Sequence, residues 1–244
     1  MKIIATIEAR MTSSRLPGKV LLPAAGKPML THLVRRLQAV PSLAGMVLAT
    51  TTNQSDDTLA SFAAAAGIDC YRGSEADVMG RVIGAAEHAG ADLVVEITGD
   101  CPIIDHELVE QTIRMYLANS ADYVSNCHIR SYPDGMDTQV FRLETLKDSA
   151  SRTTEQLDRE HVTLHIRNHP DRYRHLHLVA PPELHWPELG LTLDEERDYE
   201  LLKQIIEHFE THNPLFSCTD AVRLLRKHPQ WLLINNTVKR KGDH

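Results

Sequence analysis

Three cations crowd one short stretch of this 244-residue chain: Arg10, Arg15 and Lys19, in Arg10-Met-Thr-Ser-Ser-Arg-Leu-Pro-Gly-Lys19. Three hydroxyls, a proline and a glycine lie between them. The residues just ahead, 2–9 (KIIATIEA), read as a buried strand, a short apolar run with β-branched members. Pro17-Gly18 forces a turn, so the cations should curl round one point rather than line a straight face. A loop leaving the carboxyl end of a parallel strand is where open α/β sheets bind ligands. Two guanidiniums, an ammonium and free backbone N–H groups there suit a polyphosphate. Ala9 and Ser14 belong to the same segment. The plain alternative is a solvated basic loop. Neither Gly-x-x-x-x-Gly-Lys-Ser/Thr nor Gly-x-Gly-x-x-Gly occurs, so this is not a common phosphate loop.

A second set of residues could hold a metal on such a polyphosphate. Thr98-Gly-Asp-Cys-Pro102 follows an apolar run that reads as a central strand, and places Asp100 at its end. A carboxylate beside a cation-lined pocket suits Mg²⁺, which bridges phosphate oxygens and needs only one or two protein carboxylates. Asp100 could equally cap the loop that follows. Asp194, between a strand and a helix, is by its own position a helix N-cap, and Asp198 suits the first turn. Arg72, Ser74 and Arg81 lie in a polar loop and helix start after another strand. Tyr132-Pro-Asp-Gly-Met-Asp137 offers Asp134 and Asp137, either to a polyhydroxylated acceptor or as a hairpin turn. His161, His165 and His169 have the spacing of one helix face, but Pro170 disfavours helix at His169 and no third zinc ligand can be placed. Cys101 has no partner base in reach of sequence reasoning and reads as a buried structural thiol.

Together these segments resemble the CMP-sugar synthetases, the acylneuraminate and KDO cytidylyltransferases, which open with a strand and Ala-Arg-x-x-Ser-x-Arg-Leu-Pro-x-Lys. The resemblance is closest to the spore-coat polysaccharide biosynthesis branch. It rests on Ala9-Arg10-Met11, on Ser14 to Leu21, on Gly26-Lys27-Pro28 and on the Gly-Asp-x-Pro at Asp100. It spans roughly residues 1–210. It implies that Asp100 and Asp194 are the magnesium carboxylates, and that Arg72, Ser74 and Arg81 help hold the nucleotide. It further implies that Asp134, Asp137, Glu160 and His161 (with Arg159 beside them) face the acceptor or its wall. Three positions depart from the pattern: Glu8 replaces Gln, Gly80 replaces Asp and Glu195 replaces Thr.

These residues need a scaffold that brings distant strand ends together. Apolar runs at 2–9, 45–51, 69–72, 92–98 and 122–126 alternate with helical patterns at 29–40, 56–66, 75–89 and 105–119. That alternation argues an α/β fold, a doubly wound, mostly parallel sheet, of the nucleotide-diphospho-sugar transferase (GT-A-like, Rossmann-like) kind that the resemblance implies. The pattern then loosens. Strands are expected at 136–141, 173–179 and 189–193, and helices at 143–152, 159–168, 195–212 and 218–227, with a frayed tail from Lys239 to His244. One domain spanning 1–244 is expected, with 127–188 as an acceptor or dimerisation region.

A net charge of −7 and a pI near 6.0 argue against nucleic-acid partners and make the basic cluster more informative. Four widely spaced cysteines with no Cys-x-x-Cys fit a reducing cytoplasm. No apolar run approaches the ~20 residues of a membrane span, and the chain strikes a strand at once, without a signal-peptide pattern. The expectation is a Mg²⁺-dependent nucleotidyltransferase taking CTP and a sugar or sugar acid, cytoplasmic, with no membrane partner and a possible homodimer. CTP itself comes from the resemblance; spacing shows only a polyphosphate. Two rivals stay open: a glycosyltransferase using a nucleotide sugar, and a catalytically silent nucleotide-sugar-binding protein.

Overall fold

The computed structural model describes residues 1–239. The first strand, β1 (Ile3–Glu8), has its aliphatic side chains buried on both faces, as a near-continuous apolar run demands of an interior parallel strand. A small antiparallel hairpin, β2 (Pro23–Ala24) and β3 (Lys27–Pro28), leads into helix α1 (Met29–Gln38). Then follow β4 (Gly45–Thr51), α2 (Asp57–Ala66), β5 (Asp69–Gly73), α3 (Val78–His88), β6 (Leu93–Thr98) and α4 (His106–Leu117). The second half holds β7 (Tyr123–Ser125), β8 (Gln139–Arg142), α5 (Leu143–Ala150), α6 (Gln156–Glu160), α7 (Leu164–Asn168), β9 (His175–His177), α8 (Glu196–Phe209) and α9 (Cys218–Lys227).

The central sheet has seven strands in the order β5-β4-β1-β6-β8-β7-β9. β8 alone runs antiparallel to both neighbours; the other pairings are parallel. The chain winds outward from β1 through β4 to β5, then returns to β6 on the other side of β1. The carboxyl ends of β1 and β6 therefore flank the switch point, where such sheets open a crevice. Register sets Glu8 level with Thr98, so the loops carrying Arg10 to Lys19 and Asp100 leave the sheet side by side. Gly99 permits this. Its N–H donates to the Glu8 carbonyl at 2.7 Å, and a Cβ there would lie 2.6 Å from that oxygen.

Two apolar cores cover the sheet faces. One packs Ile3, Ile7, Leu33 and Val95 under α1, α2 and α4; the other packs Ile4, Val47, Val82 and Phe141 under α3 and α5. A third core joins Met29, Leu191, Leu202 and Val222, and seats α8 and α9 beyond the hairpin. Arg36 staples this third unit to the sheet. It is 1 % exposed, donates to the carbonyls of Phe216 (2.8 Å) and Ile104 (3.3 Å), and lies 4.0 Å over the Phe216 ring. Burial pulls its pKa down to about 10. Arg36→Ala would strand those carbonyls and leave a cavity. The expected loss is roughly 3–5 kcal/mol, read as a fall in the urea midpoint at unchanged m-value.

Several expected boundaries shift. Residues 159–168 do not form one helix: α6 ends at Glu160, and α7 starts at Leu164 after a turn at His161. The strand expected at 136–141 starts only at Gln139, because Asp134-Gly135-Met136 is a turn, with Gly135 at φ +105°. The strand at 173–179 shrinks to His175–His177. Residues 189–193 form no strand of the sheet. They run extended beside two loops instead, with Leu191 N–H on the Asp134 carbonyl (2.7 Å) and Leu193 N–H on the Asp100 carbonyl (2.8 Å). All but the first residue of the expected tail lie outside the described residues. No helix among the described residues is long and apolar enough to cross a membrane.

Candidate active site

The loop after β1 closes on itself. Gly18, at φ +70°, donates its N–H to the Met11 carbonyl at 2.9 Å, and Lys19 begins a short 3-10 turn. The start of the loop is pinned from below: the Met11 N–H donates 2.7 Å to a carboxylate oxygen of Asp56, a fully buried side chain whose other oxygen takes the Thr51 hydroxyl and N–H. Arg15 and Lys19 thus curl round one point, as Pro17-Gly18 predicts, while Arg10 stays apart from it.

At that point stands a tight charge cluster. Lys19 Nζ lies 3.0 Å from Asp100 Oδ2 and 3.1 Å from Asp194 Oδ1. Arg15 reaches Asp194 at 2.8 Å and Glu195 at 3.4 Å. Arg10 stands further out, paired with Glu75 at 3.4 Å. The hydrogen bond from Leu193 to the Asp100 carbonyl explains how residues so distant in sequence meet. Asp194 does not cap α8, contrary to its reading as an N-cap. Glu195 is the N-cap, and Asp198 takes the N–H groups of Glu195 (3.0 Å) and Asp194 (3.2 Å), which frees the Asp194 carboxylate for the cluster.

The charges sustain one another. Burial favours protonated Asp100, but the Lys19 ammonium and the Thr98 hydroxyl, 2.6 Å away, outweigh it and hold the carboxyl below its ordinary value. Burial likewise opposes the Lys19 charge, and the two aspartates more than restore it, raising its pKa. Two carboxylates converging on one cation are an all-oxygen donor set that suits Mg²⁺, once phosphate oxygens complete the shell.

Two clefts meet over this cluster. One, of about 300 Å³, is lined by Ala9, Arg10, Ser14, Arg15, Lys19, Arg81, Asp100 and Asp194, all singled out from sequence. The other, of about 280 Å³, is lined by Asp134, Asp137, Glu160, His161, Arg15, Asp100 and Asp194 among others. Glu160 and His161 are exposed at the shared mouth. Arg159 positions them by bonding Asp77, the N-cap of α3, at 2.5 Å. Arg72 and Ser74 are not among the lining residues. The Arg72 guanidinium is taken up by the carbonyls of Thr51 and Asn53 (2.8 Å each) and by Asp57 (2.7 Å), and the Ser74 carbonyl accepts from Arg81 at 2.5 Å. Their place is to shape the loop that holds Arg81. His161, His165 and His169 do not converge: His161 faces the clefts while the other two rings pack 4.2 Å apart. Cys101 is buried, and burial followed by Asp100 raises its thiol well above the ordinary value, which keeps it an inert thiol.

The second cleft holds residues that sequence reasoning missed. Glu96, Gln139 and Thr163 form its floor, with Gln139 donating to Glu96 and accepting from Thr163 at 2.6 Å. Glu96 is the one charged residue within β6, flanked by Val95 and Ile97, a signal open to reading. Glu8 lines both clefts, and its Oε1 is closed off from water without a hydrogen-bond partner. Burial, and then Glu96, push its pKa well up. A protonated Glu8 offers a donor and an acceptor as glutamine does, which reconciles a carboxyl here with a phosphate nearby. Arg130 bonds Asp137 at 2.6 Å and lies 3.5 Å from Asp134. Burial raises Asp137 to about 6 against the pull of Arg130. Asp137 therefore ionises as pH rises through about 6, and its carboxylate then faces the cleft as a hydrogen-bond acceptor only. The KM for a substrate that hydrogen-bonds in this cleft is expected to fall across that interval, and Asp137→Asn should flatten the profile.

The family model described as cytidylyltransferase matches residues 4–226. The chain belongs to the cytidylyltransferase family. A solved cytidylyltransferase of Leptospira borgpetersenii is 30% identical, with a TM-score of 0.91 over 98% of this chain and 100% of that one. The spore coat polysaccharide biosynthesis protein SpsF of Bacillus subtilis is 34% identical over 232 residues, 93% of this chain and 95% of that protein. A CMP-KDO synthetase solved with CTP shares the fold, with a TM-score of 0.63 at 18% identity over 85% of this chain and 99% of that one. As a cytidylyltransferase the protein moves a cytidylyl group from CTP.

Proposed function

We propose that this cytidylyltransferase transfers CMP from CTP to a hydroxyl of a sugar or sugar acid, in the cytoplasm, for a surface polysaccharide or related glycan. The observation that carries this reading is the shared wall: Arg15, Asp100 and Asp194 line both clefts, so the α-phosphate and the attacking hydroxyl would meet over them. The hydroxyl oxygen bonds to the α-phosphorus as the bond to pyrophosphate breaks. Arg10, Arg15 and Lys19 neutralise the triphosphate and then the leaving group. Asp100 and Asp194 would hold Mg²⁺, which supplies Lewis-acid polarisation of the phosphate oxygens. Asp134, Asp137 and the Glu96-Gln139 floor are suited to sugar hydroxyls, and Arg130 and Arg167 in the same cleft to an acid group. The name of the Bacillus relative supports the polysaccharide context.

The test is pyrophosphate release from CTP and Mg²⁺ against a panel of nonulosonates, octulosonates and neutral sugars, with the CMP-sugar identified by mass. Tight CTP binding without pyrophosphate from any of them would overturn the reading. A homodimer through 127–188 is part of the proposal, since that segment exposes Ile129, Leu157 and Val179. Sedimentation of the wild type against Val179→Glu tests it.

A further inference from the structure

Sequence spacing directs attention to His161, His165 and His169, but the structure gathers a different trio. His175 and His177 stand two apart on β9, on the same face, since side chains alternate along a strand. They pair in register with Tyr123 and Ser125 of β7. The loop that leaves β7 brings His128 over them. Its ring centroid lies 5.1 Å from that of His177 and 6.0 Å from that of His175, and the latter two are 5.9 Å apart. One ring nitrogen from each lies within 4.8 Å of those of the other two.

Three imidazoles this close, with no carboxylate among them, are not explained by packing alone. The hydrogen bonds show how they are prepared. His175 Nε2 lies 3.0 Å from the Ile166 carbonyl, which can only accept, so Nε2 carries the proton and Nδ1 keeps its lone pair. Fixing one ring nitrogen by a backbone carbonyl is how metal-binding histidines are usually oriented. His177 Nδ1 is buried with no hydrogen-bond partner, a costly state for a polar atom that a metal bond would relieve. His128, the exposed member, gives a path from solvent.

We propose that His128, His175 and His177 form a binding site for a zinc-class divalent cation, separate from the carboxylate cluster of the clefts. Three neutral imidazoles with a fourth position left for water are a known zinc donor set, with Zn–N bonds of about 2.0–2.1 Å. A tetrahedral ion of that size needs nitrogens about 3.4 Å apart, so the rings must draw in by up to about 1.4 Å, within reach of side-chain rotation. Imidazole selects zinc, copper or nickel, whereas Mg²⁺ takes oxygen, so the two sites would not compete for one ion. The bound ion would tie the edge strand β9 to the loop after β7. That loop carries Cys127 and Arg130, which line the acceptor cleft. The ion therefore braces one wall of that cleft without touching the reacting phosphates.

The test uses the full chain, stripped with a chelator and titrated with zinc chloride against a chromophoric competitor in excess Mg²⁺. One tight equivalent per chain is expected, together with a raised melting temperature. His177→Ala and the surface substitution His128→Gln should each weaken that equivalent by at least ~100-fold, more than the loss of an outer partner would. CTP binding by these variants, measured by calorimetry without zinc, checks that they are folded. The double variant His165→Ala/His169→Ala should keep the tight equivalent. Wild type and His128→Gln binding zinc alike, or loss of the equivalent only in the His165/His169 variant, would overturn the proposal.

Discussion

Asp100→Ala is expected to lower turnover with CTP and Mg²⁺ by ~10³-fold while the protein stays folded. The carboxylate sits at the junction of both clefts, beyond the last residue of β6, and contributes no apolar packing to either sheet face. Its removal leaves Lys19 with Asp194 at 3.1 Å, so no charge is stranded. The stability loss should stay within ~1–2 kcal/mol. Its pH dependence has a definite sign. Lys19 and Thr98 hold the folded carboxyl below its ordinary value against the effect of burial. That stabilisation is complete above the unfolded value and fades as pH falls through the lowered folded one. Wild type and variant should therefore converge in urea midpoint toward acid pH and differ fully at neutral pH. Full activity of Asp100→Ala in Mg²⁺ would remove the metal assignment. Collapse of the fold would show that the loop, rather than the charge, is what the residue supports.

The division between what sequence disclosed and what it hid follows the range of the interactions. The loop from Arg10 to Lys19 was legible because its turn is local: Pro17 and Gly18 close it whatever lies elsewhere. The parallel half of the sheet was legible because an apolar run buried on both faces has few other places to go. The local pattern alone left Asp194 open between helix cap and site residue, because Glu195 and Asp198 compete for the cap within the same turn, and only tertiary contact decides among them. What assigns it to the site is one backbone bond, Leu193 to Asp100, invisible to any local pattern. Asp56 was hidden for the same reason: it looks like the first residue of α2 and serves instead as the anchor for Met11. Arg72 differs in the other direction. The resemblance implies that it helps hold the nucleotide, whereas here two carbonyls and Asp57 each take one of its nitrogens. The floor of the second cleft, Glu96, Gln139 and Thr163, comes from three separate segments whose own patterns are strand, strand and turn.

Lys19→Met should separate two properties that most substitutions in the cluster would lower together. Turnover is expected to fall by ~10²–10³-fold, because the ammonium would no longer neutralise the triphosphate and the departing pyrophosphate. Affinity for Mg²⁺ in the absence of nucleotide should move the other way and rise. In the free protein Lys19 lies between Asp100 and Asp194 and occupies the electrostatic position a cation would take. Without it, two carboxylates face each other with Arg15 on Asp194, and like charges at that range favour any ion that can bridge them. Methionine keeps the length and apolar stem of the side chain, so packing round Val20 and the turn should hold. Calorimetric titration with Mg²⁺ reads the affinity and pyrophosphate release the turnover. Equal Mg²⁺ affinity in the two proteins would mean that the carboxylates do not form the metal site, even if turnover were lost. A rise in Mg²⁺ affinity with turnover intact would keep the metal site and remove Lys19 from the chemistry.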